Sequence, residues 1–258
     1  MITLYGMFSP NVFKIALMLE EAGLPYLTEH IPVICGGNHT SDFLKLNPLA
    51  KVPVIVDPDG PLAGRALFES GTILIYLAEN YDPALLPRDA NNPVRWRVLT
   101  WLAVQMALAG PMLGQLNHFQ GLPAEKDGYA YGRYRDQARF VYERIDGQLA
   151  DNAYLGGASY SIADIAMYPW TAYMERHGFA PGDFRHMIRW RSEIDARPAT
   201  ARALKIMMAF MQLDSESLKR TTPQDVDRFY NRSAPGPMMD SEAYFALGPM
   251  ISARPAPE

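Results

Sequence analysis

The residue pattern of the chain changes once, near residue 82, and that change limits what it can fold into. Residues 1–80 alternate short strand-like runs with amphipathic helical ones, whereas from Val94 to about Leu213 every long segment has helical periodicity. Ile2–Tyr5 reads as a strand, and Val12–Ala22 as a helix with Ile15, Ala16, Leu19 and Ala22 on one face. Tyr26–Ile31 alternates weakly, a Gly36-Gly37 loop follows, and Asp42–Leu46 is a short helix. Val52–Val56 has the apolar run of a buried strand, and Asp57-Pro58-Asp59-Gly60 is turn chemistry. Ala66–Phe68 is a second short strand and Gly71–Glu79 a helix. Helices that return between strands in the order β-α-β-α-β-β-α imply a mixed four-stranded sheet covered on both faces.

Asp82–Pro93 holds three prolines and two asparagines with little periodicity, which marks a linker. The expected organisation is a domain over 1–81, a linker over 82–93, an all-helical domain over 94–213 and an extension over 214–258. Within the helical part, Ser161-Ile162-Ala163-Asp164 resembles an acidic capping box opening a helix through Met167 to Arg176. The extension is rich in Pro, Ser, Met and charge, and reads as a segment poorly ordered or wrapped over the body.

Bulk properties exclude several classes. At 258 residues, 48% apolar and 20% charged, the chain has ample material for two cores. A net charge of −4 offers no bulk cationic surface to nucleic acid or to an anionic membrane. Lys, Glu, Gln or Gly breaks each apolar run before 18 residues, so no spanning helix is expected. The opening Met1-Ile2-Thr3-Leu4-Tyr5 lacks the basic and apolar regions of a signal peptide. The one cysteine, Cys35, cannot form an internal disulfide and fits a reducing, cytoplasmic setting. It has no Cys-x-x-Cys partner, so it is expected to be a bystander. The five histidines (30, 39, 118, 177, 186) lack metal-ligand spacing, and no metal is expected.

Three short segments have the residue types to hold an anionic peptide. Ser9-Pro10-Asn11 opens the first helix, where a hydroxyl or amide beside the helix N-terminus can stabilise a thiolate or simply cap the helix. Lys51-Val52-Pro53 precedes a strand; a cis Val-Pro bond would present the Val52 backbone to an extended ligand, and a trans bond would merely start the strand. Glu69-Ser70 begins another helix, whose N–H groups and hydroxyl suit a carboxylate or an ordinary cap.

The order of these pieces resembles the glutathione transferase superfamily. The resemblance rests on Ser9-Pro10-Asn11, Asn47-Pro48-x-x-Lys51-Val52-Pro53, Glu69-Ser70-Gly71-x-Ile73-x-Ile75-Tyr76-Leu77-Ala78 and Ser161-Ile162-Ala163-Asp164, and spans residues 1 to about 205. Within the superfamily the chain is most similar to the bacterial Nu class and its yeast-prion-like relatives. That similarity rests on Ser9-Pro10-Asn11-x-x-Lys14-Ile15, Gly110-Pro111-Met112-Leu113-Gly114-Gln115 with Asn117-His118-Phe119, and Tyr129-x-x-x-Arg133-Tyr134. The class usually has threonine where this chain has Ser9, and often glutamine where it has Asn38.

The resemblance implies a thioredoxin-like front domain, a helical back domain, a homodimer, and glutathione as co-substrate. It implies that Ser9 and Asn11 face the sulfur, that Val52 beside Pro53 pairs with the cysteinyl backbone, and that Glu69 and Ser70 hold the γ-glutamyl end. Asn38 and Lys51 would hold the glycyl end, and Arg133 would reach the ligand of the neighbouring subunit. Of the back-domain residues, most are expected in the core; Met112, His118, Phe119, Tyr168 and Trp170 are the candidates for an apolar co-substrate pocket. Disulfide reduction with two glutathiones, or thiol attack on an aromatic glutathione thioether, is the expected chemistry. Conjugation of electrophiles and a non-enzymatic sensing or scaffold role are the alternatives.

Overall fold

A computed structural model of the chain describes residues 1–121, 124–233 and 236. It divides into two compact units, Met1–Leu86 with the stretch that begins at Pro198, and Pro87–Arg197. The elements of the first unit are β1 (Ile2–Gly6), α1 (Pro10–Glu21), β2 (Tyr26–His30), α2 (Ser41–Leu46), β3 (Val54–Val56), β4 (Ala66–Phe68) and α3 (Ser70–Asn80). The second unit holds α4 (Pro93–Val104), α5 (Gly110–Gln120), α6 (Ala124–Asp151), α7 (Ile162–Thr171) and α8 (Arg185–Asp195). The chain then returns to the first unit with α9 (Pro198–Leu218) and α10 (Pro223–Phe229).

The sheet is mixed and four-stranded in the order β2-β1-β3-β4. β1 runs parallel to β2 and antiparallel to β3, and β3 runs antiparallel to β4. The expected element order therefore holds. The strand expected from Val52 begins at Val54, because Pro53 has no N–H to enter a ladder. Val12, Ile15, Ala16 and Leu19 of α1, Leu4 of β1, Val54 and Ile55 of β3, and Ile73, Leu74 and Leu77 of α3 are all buried and form the core. Gly6 ends β1 where α1 crosses it: a Cβ there would stand 2.6 Å from Val12 Cγ1, so no larger residue fits.

The boundary on the far side differs from the expectation. The 94–213 block does not stay together, because α9 packs along α1 and joins the first unit. Asp214, assigned by sequence to the extension, lies inside α9, and α10 follows with a Thr222–Asp225 capping box. Of the expected extension beyond residue 233, only 236 lies within the described residues.

In the second unit α4 packs on α7, α5 on α6, and α6 on α8. Asp164 is fully buried and accepts hydrogen bonds from Leu155 N–H (2.9 Å), Ser161 N–H (3.0 Å), Ser161 Oγ (2.8 Å) and Trp190 Nε1 (2.9 Å). Burial pushes its carboxyl up to about 6, and those donors oppose the shift. α6 and α8 cap each other. Asp146 accepts from His186 and Met187 N–H at 2.8 and 2.9 Å, while Arg189 donates to the carbonyls of Leu149, Asn152 and Ala153.

Residues 93–120 run on as one helical rod, long and apolar enough by length and composition to cross a membrane, which the sequence reading did not expect. It packs on α6 and α7, which bury about a third of its most apolar stretch. The rod is α-helical except for a π turn over Gln105–Ala109. Pro111 has no N–H for the carbonyl four residues back, and the helix widens so that Gly110 N–H bonds to Gln105 O. α7 is shorter than expected and stops at Thr171, two residues after the interior Pro169.

Candidate functional site

Strand register decides which loops meet. Tyr5 of β1 lies opposite Val54 of β3, and Val54 lies opposite Phe68 of β4. With these antiparallel pairings, the chain leaving β1, the chain entering β3 and the chain leaving β4 all stand at one end of the sheet. Those are the 7–11 turn, the 51–53 segment and the 69–70 helix start, which are far apart in sequence. β2 runs parallel to β1 with Gly6 opposite His30, so His30 closes the same end.

At the first segment Ser9 is the N-cap of α1, with φ −157° and ψ 155°, and its Oγ accepts Val12 N–H at 3.3 Å. Pro10 takes the first helical position, where no donor is needed. Ser9 and Asn11 are both half-buried. The capping role open in the sequence is therefore filled, and Oγ still has donor capacity because a hydroxyl offers one hydrogen and two lone pairs.

The Val52–Pro53 bond is cis. The loop before it is held from below by two buried asparagines. Asn47 accepts Leu49 N–H at 3.0 Å and donates Nδ2–H to Lys51 O at 2.7 Å, and Asn38 donates Nδ2–H to Ala50 O at 2.7 Å. Ala50 itself has φ +54°, a left-handed conformation that a residue with a Cβ adopts only when its surroundings enforce it. Asn38 is thus a buried support of this loop, and its Oδ1 has no hydrogen-bond partner among the described residues. Lys51 is exposed, Val52 half-buried and Pro53 buried.

At the third segment Glu69 has φ +68° and ψ 106°, a second non-glycine residue in strained backbone, directly before α3. Its carboxylate is exposed, and Ser70, the first residue of α3, is buried. Lys14 of α1 is fully buried. Desolvation pulls its ammonium down to about 7, opposed by the Glu69 carboxylate. Lys14 and Asn47 stand inside the motifs with no sign of these roles, because neither burial nor backbone strain shows in residue type.

In the second unit Met112, His118 and Phe119 of α5 are half-buried, and Arg133 of α6 is exposed. His118 meets Phe119 edge-on at 5.2 Å, and Phe119 stacks on Tyr134 of α6 at 5.3 Å. Asn117 beside them accepts from His177 Nε2–H at 2.9 Å, so the unprotonated Nδ1 accepts from Tyr142 O–H at 2.8 Å. Burial pushes His177 down to about 3, which keeps the ring neutral. Trp170 of α7 lies against Gly114, where a Cβ would be 3.6 Å from the indole. Tyr168 is buried, edge-on to Trp190 and hydrogen-bonded to Asp195. Cys35 donates Sγ–H to Ser217 O at 3.0 Å, a packing role with no second thiol.

A thioredoxin-like domain whose loops converge at one sheet end, joined to a helical domain with an acidic capping box, defines a glutathione S-transferase-type chain. The family model for the glutathione S-transferase N-terminal domain matches residues 8–80, and that for the C-terminal domain matches residues 106–198. The chain belongs to this family. It is 38% identical over 206 residues to the disulfide-bond oxidoreductase YfcG of Escherichia coli K12, a match covering 79% of this chain and 94% of that protein. A glutathione transferase family member from Pseudomonas fluorescens pf-5, solved with two glutathione bound, has TM-score 0.72 and 35% identity, covering 79% of this chain and 92% of that one. A glutathione transferase from Pseudomonas putida, solved with one glutathione disulfide per subunit, has TM-score 0.71 and 34% identity, covering 80% and 91%.

Proposed function

We propose that this protein is a glutathione-dependent disulfide reductase acting as a homodimer. The observation that carries the reading is the convergence of the 9–11 turn, the cis-Pro53 segment and the strained Glu69-Ser70 helix start at one end of the sheet. Each is matched to one part of the tripeptide. Ser9 and Asn11 meet the sulfur at a helix N-terminus, Val52 offers backbone groups to the cysteinyl residue, and Glu69 with Ser70 takes the γ-glutamyl ammonium and carboxylate. Lys51 is suited to the glycyl carboxylate.

The names of the relatives favour disulfide exchange over other thiol chemistry: one is a disulfide oxidoreductase, and two solved structures hold two glutathiones or their disulfide. The protein's part is to stabilise the sulfur as its anion, because the thiolate is the attacking species. In the first exchange that thiolate attacks one sulfur of the substrate disulfide, forming a mixed disulfide and releasing the other sulfur as a thiol. A second glutathione thiolate then attacks the glutathione sulfur, so two glutathiones become one glutathione disulfide and the substrate leaves as two thiols. No protein thiol is oxidised in this scheme. Met112, His118, Phe119 and Trp170 of the second unit are assigned to co-substrate choice, and Arg133 to a ligand of the neighbouring subunit.

The test is a calorimetric titration with reduced and oxidised glutathione, followed by turnover of small disulfides, haloaromatics and aryl glutathione thioethers. Binding of both forms with turnover confined to disulfides supports the proposal. Turnover of haloaromatics or aryl thioethers alone would replace it with conjugation or thioether cleavage.

A further inference from the structure

The same end of the sheet carries a carboxylate that the glutathione reading does not use. Asp214, on α9, is fully buried. Its Oδ2 accepts the Phe8 N–H at 2.8 Å and its Oδ1 lies 2.7 Å from His30 Nε2. An ionised carboxylate can only accept, so the His30 nitrogen is the donor. One helical turn earlier, the buried Phe210 ring packs on the imidazole with centroids 6.2 Å apart. α9 thus presents two residues, four apart and on one face, to the end of β2.

A buried carboxylate is costly to desolvate, and burial raises its pKa while the bonds from His30 and Phe8 lower it. Packing α9 on α1 needs only apolar groups, so the placement of this charge calls for another reason. Phe8 supplies one. The β1 ladder ends at Gly6, whose carbonyl takes Ile31 N–H at 2.8 Å, and the chain then turns into α1. The N–H that Asp214 holds belongs to the residue directly before Ser9. Fixing it holds the Met7–Phe8 peptide plane, and so sets where the chain leaves the sheet one residue before the Ser9 hydroxyl and the first turn of α1.

We propose that Asp214 is a positioning residue for the thiolate: through Phe8 N–H, and braced by His30, it locks the turn that presents Ser9 and Asn11. This rests on the glutathione reading above and adds to it a residue 205 positions from Ser9, beyond both matched family segments. A role confined to holding α9 on the sheet would affect stability and leave the sulfur untouched.

The experiment uses the full chain with Asp214→Ala, Asp214→Asn and His30→Ala. Melting is followed by circular dichroism, glutathione binding by calorimetry, and the bound thiolate by its ultraviolet absorbance against pH. Asp214→Ala should raise the thiolate midpoint by about one pH unit and lower kcat about tenfold, with a much smaller change in KM for glutathione. Asp214→Asn keeps an oxygen that can accept from Phe8 and should recover most of that loss. A folded Asp214→Ala protein that binds glutathione with the wild-type midpoint and kcat overturns the proposal while leaving the glutathione reading intact. Wild-type protein that binds no glutathione overturns both. If Asp214→Ala does not fold, His30→Ala takes its place: without its brace the Asp214 carboxylate is no longer held on Phe8 N–H, so the midpoint should rise, and an unchanged midpoint overturns the proposal.

Discussion

Lys14 is fully buried inside α1, and the charge acting against its desolvation is the exposed carboxylate of Glu69, 55 residues further along the chain. The pair joins the helix that opens with Ser9 to the strained residue before α3. Its ammonium is pulled from 10.5 down to about 7. Below about pH 7 the folded and unfolded chains both hold the proton, and the burial cost is at its full, constant value. Between there and 10.5 the unfolded chain binds a proton that the folded chain lacks, so this group's contribution to stability rises with pH. Lys14→Met should accordingly gain most on the wild type in acid, and the gain should shrink through that window. Urea unfolding of both proteins at about pH 6, 8 and 10 measures it; a difference independent of pH would contradict the assignment.

Ser70 is buried at the first turn of α3, where helix N–H groups and a hydroxyl converge. Ser70→Ala should weaken glutathione binding by about 1–3 kcal/mol, the cost of leaving a charged acceptor short of one donor. Calorimetric titration reads this directly. Wild-type affinity in the variant would remove the γ-glutamyl carboxylate from this helix end.

Thiolate activation should be shared by the Ser9 hydroxyl, the Asn11 amide and the N–H groups of the first turn of α1. A hydrogen bond to a charged acceptor is worth about 1.5–3 kcal/mol, or roughly one to two units of thiol pKa. Ser9→Ala and Asn11→Ala should each move the pH–rate profile to higher pH, and the double variant further. Ser9→Ala also loses the Val12 cap, so its melting temperature should fall as well, by an amount typical of about 1 kcal/mol. An unmoved thiolate titration in the double variant would leave the task to backbone dipoles or to Arg133.

Cys35 donates to the Ser217 carbonyl, a bond that a serine hydroxyl can also make. Cys35→Ser should therefore keep most disulfide-reducing activity. A loss of more than about tenfold, or ~1.4 kcal/mol, would make the thiol a participant.

Much of the fold was legible because its signals are local. Strand and helix periods, the Ser161–Asp164 box and the Asp57–Gly60 turn each depend on residues within a few positions of one another. The site motifs Ser9-Pro10-Asn11, Lys51-Val52-Pro53 and Glu69-Ser70 were equally visible, though each allowed an ordinary capping or strand-start reading. The candidates in the second unit were less so: Tyr168 and Phe119 are both aromatics on helices, yet one hydroxyl is bound to Asp195 in the core and the other ring stacks half-buried on Tyr134.

The sequence by itself determined the element order, the family and the three short segments proposed to meet a tripeptide thiol. Only the tertiary structure decided that Asn38 supports a loop, that Lys14 is buried, and that α9 belongs with the sheet. It also joined Asp214 to Phe8 across 206 positions, past a boundary drawn at residue 213 from composition alone. The reason is that periodicity reports the angle at which a side chain leaves its own helix or strand. Which distant donor waits there depends on how helices pack and strands register, and that is settled only when the whole core closes.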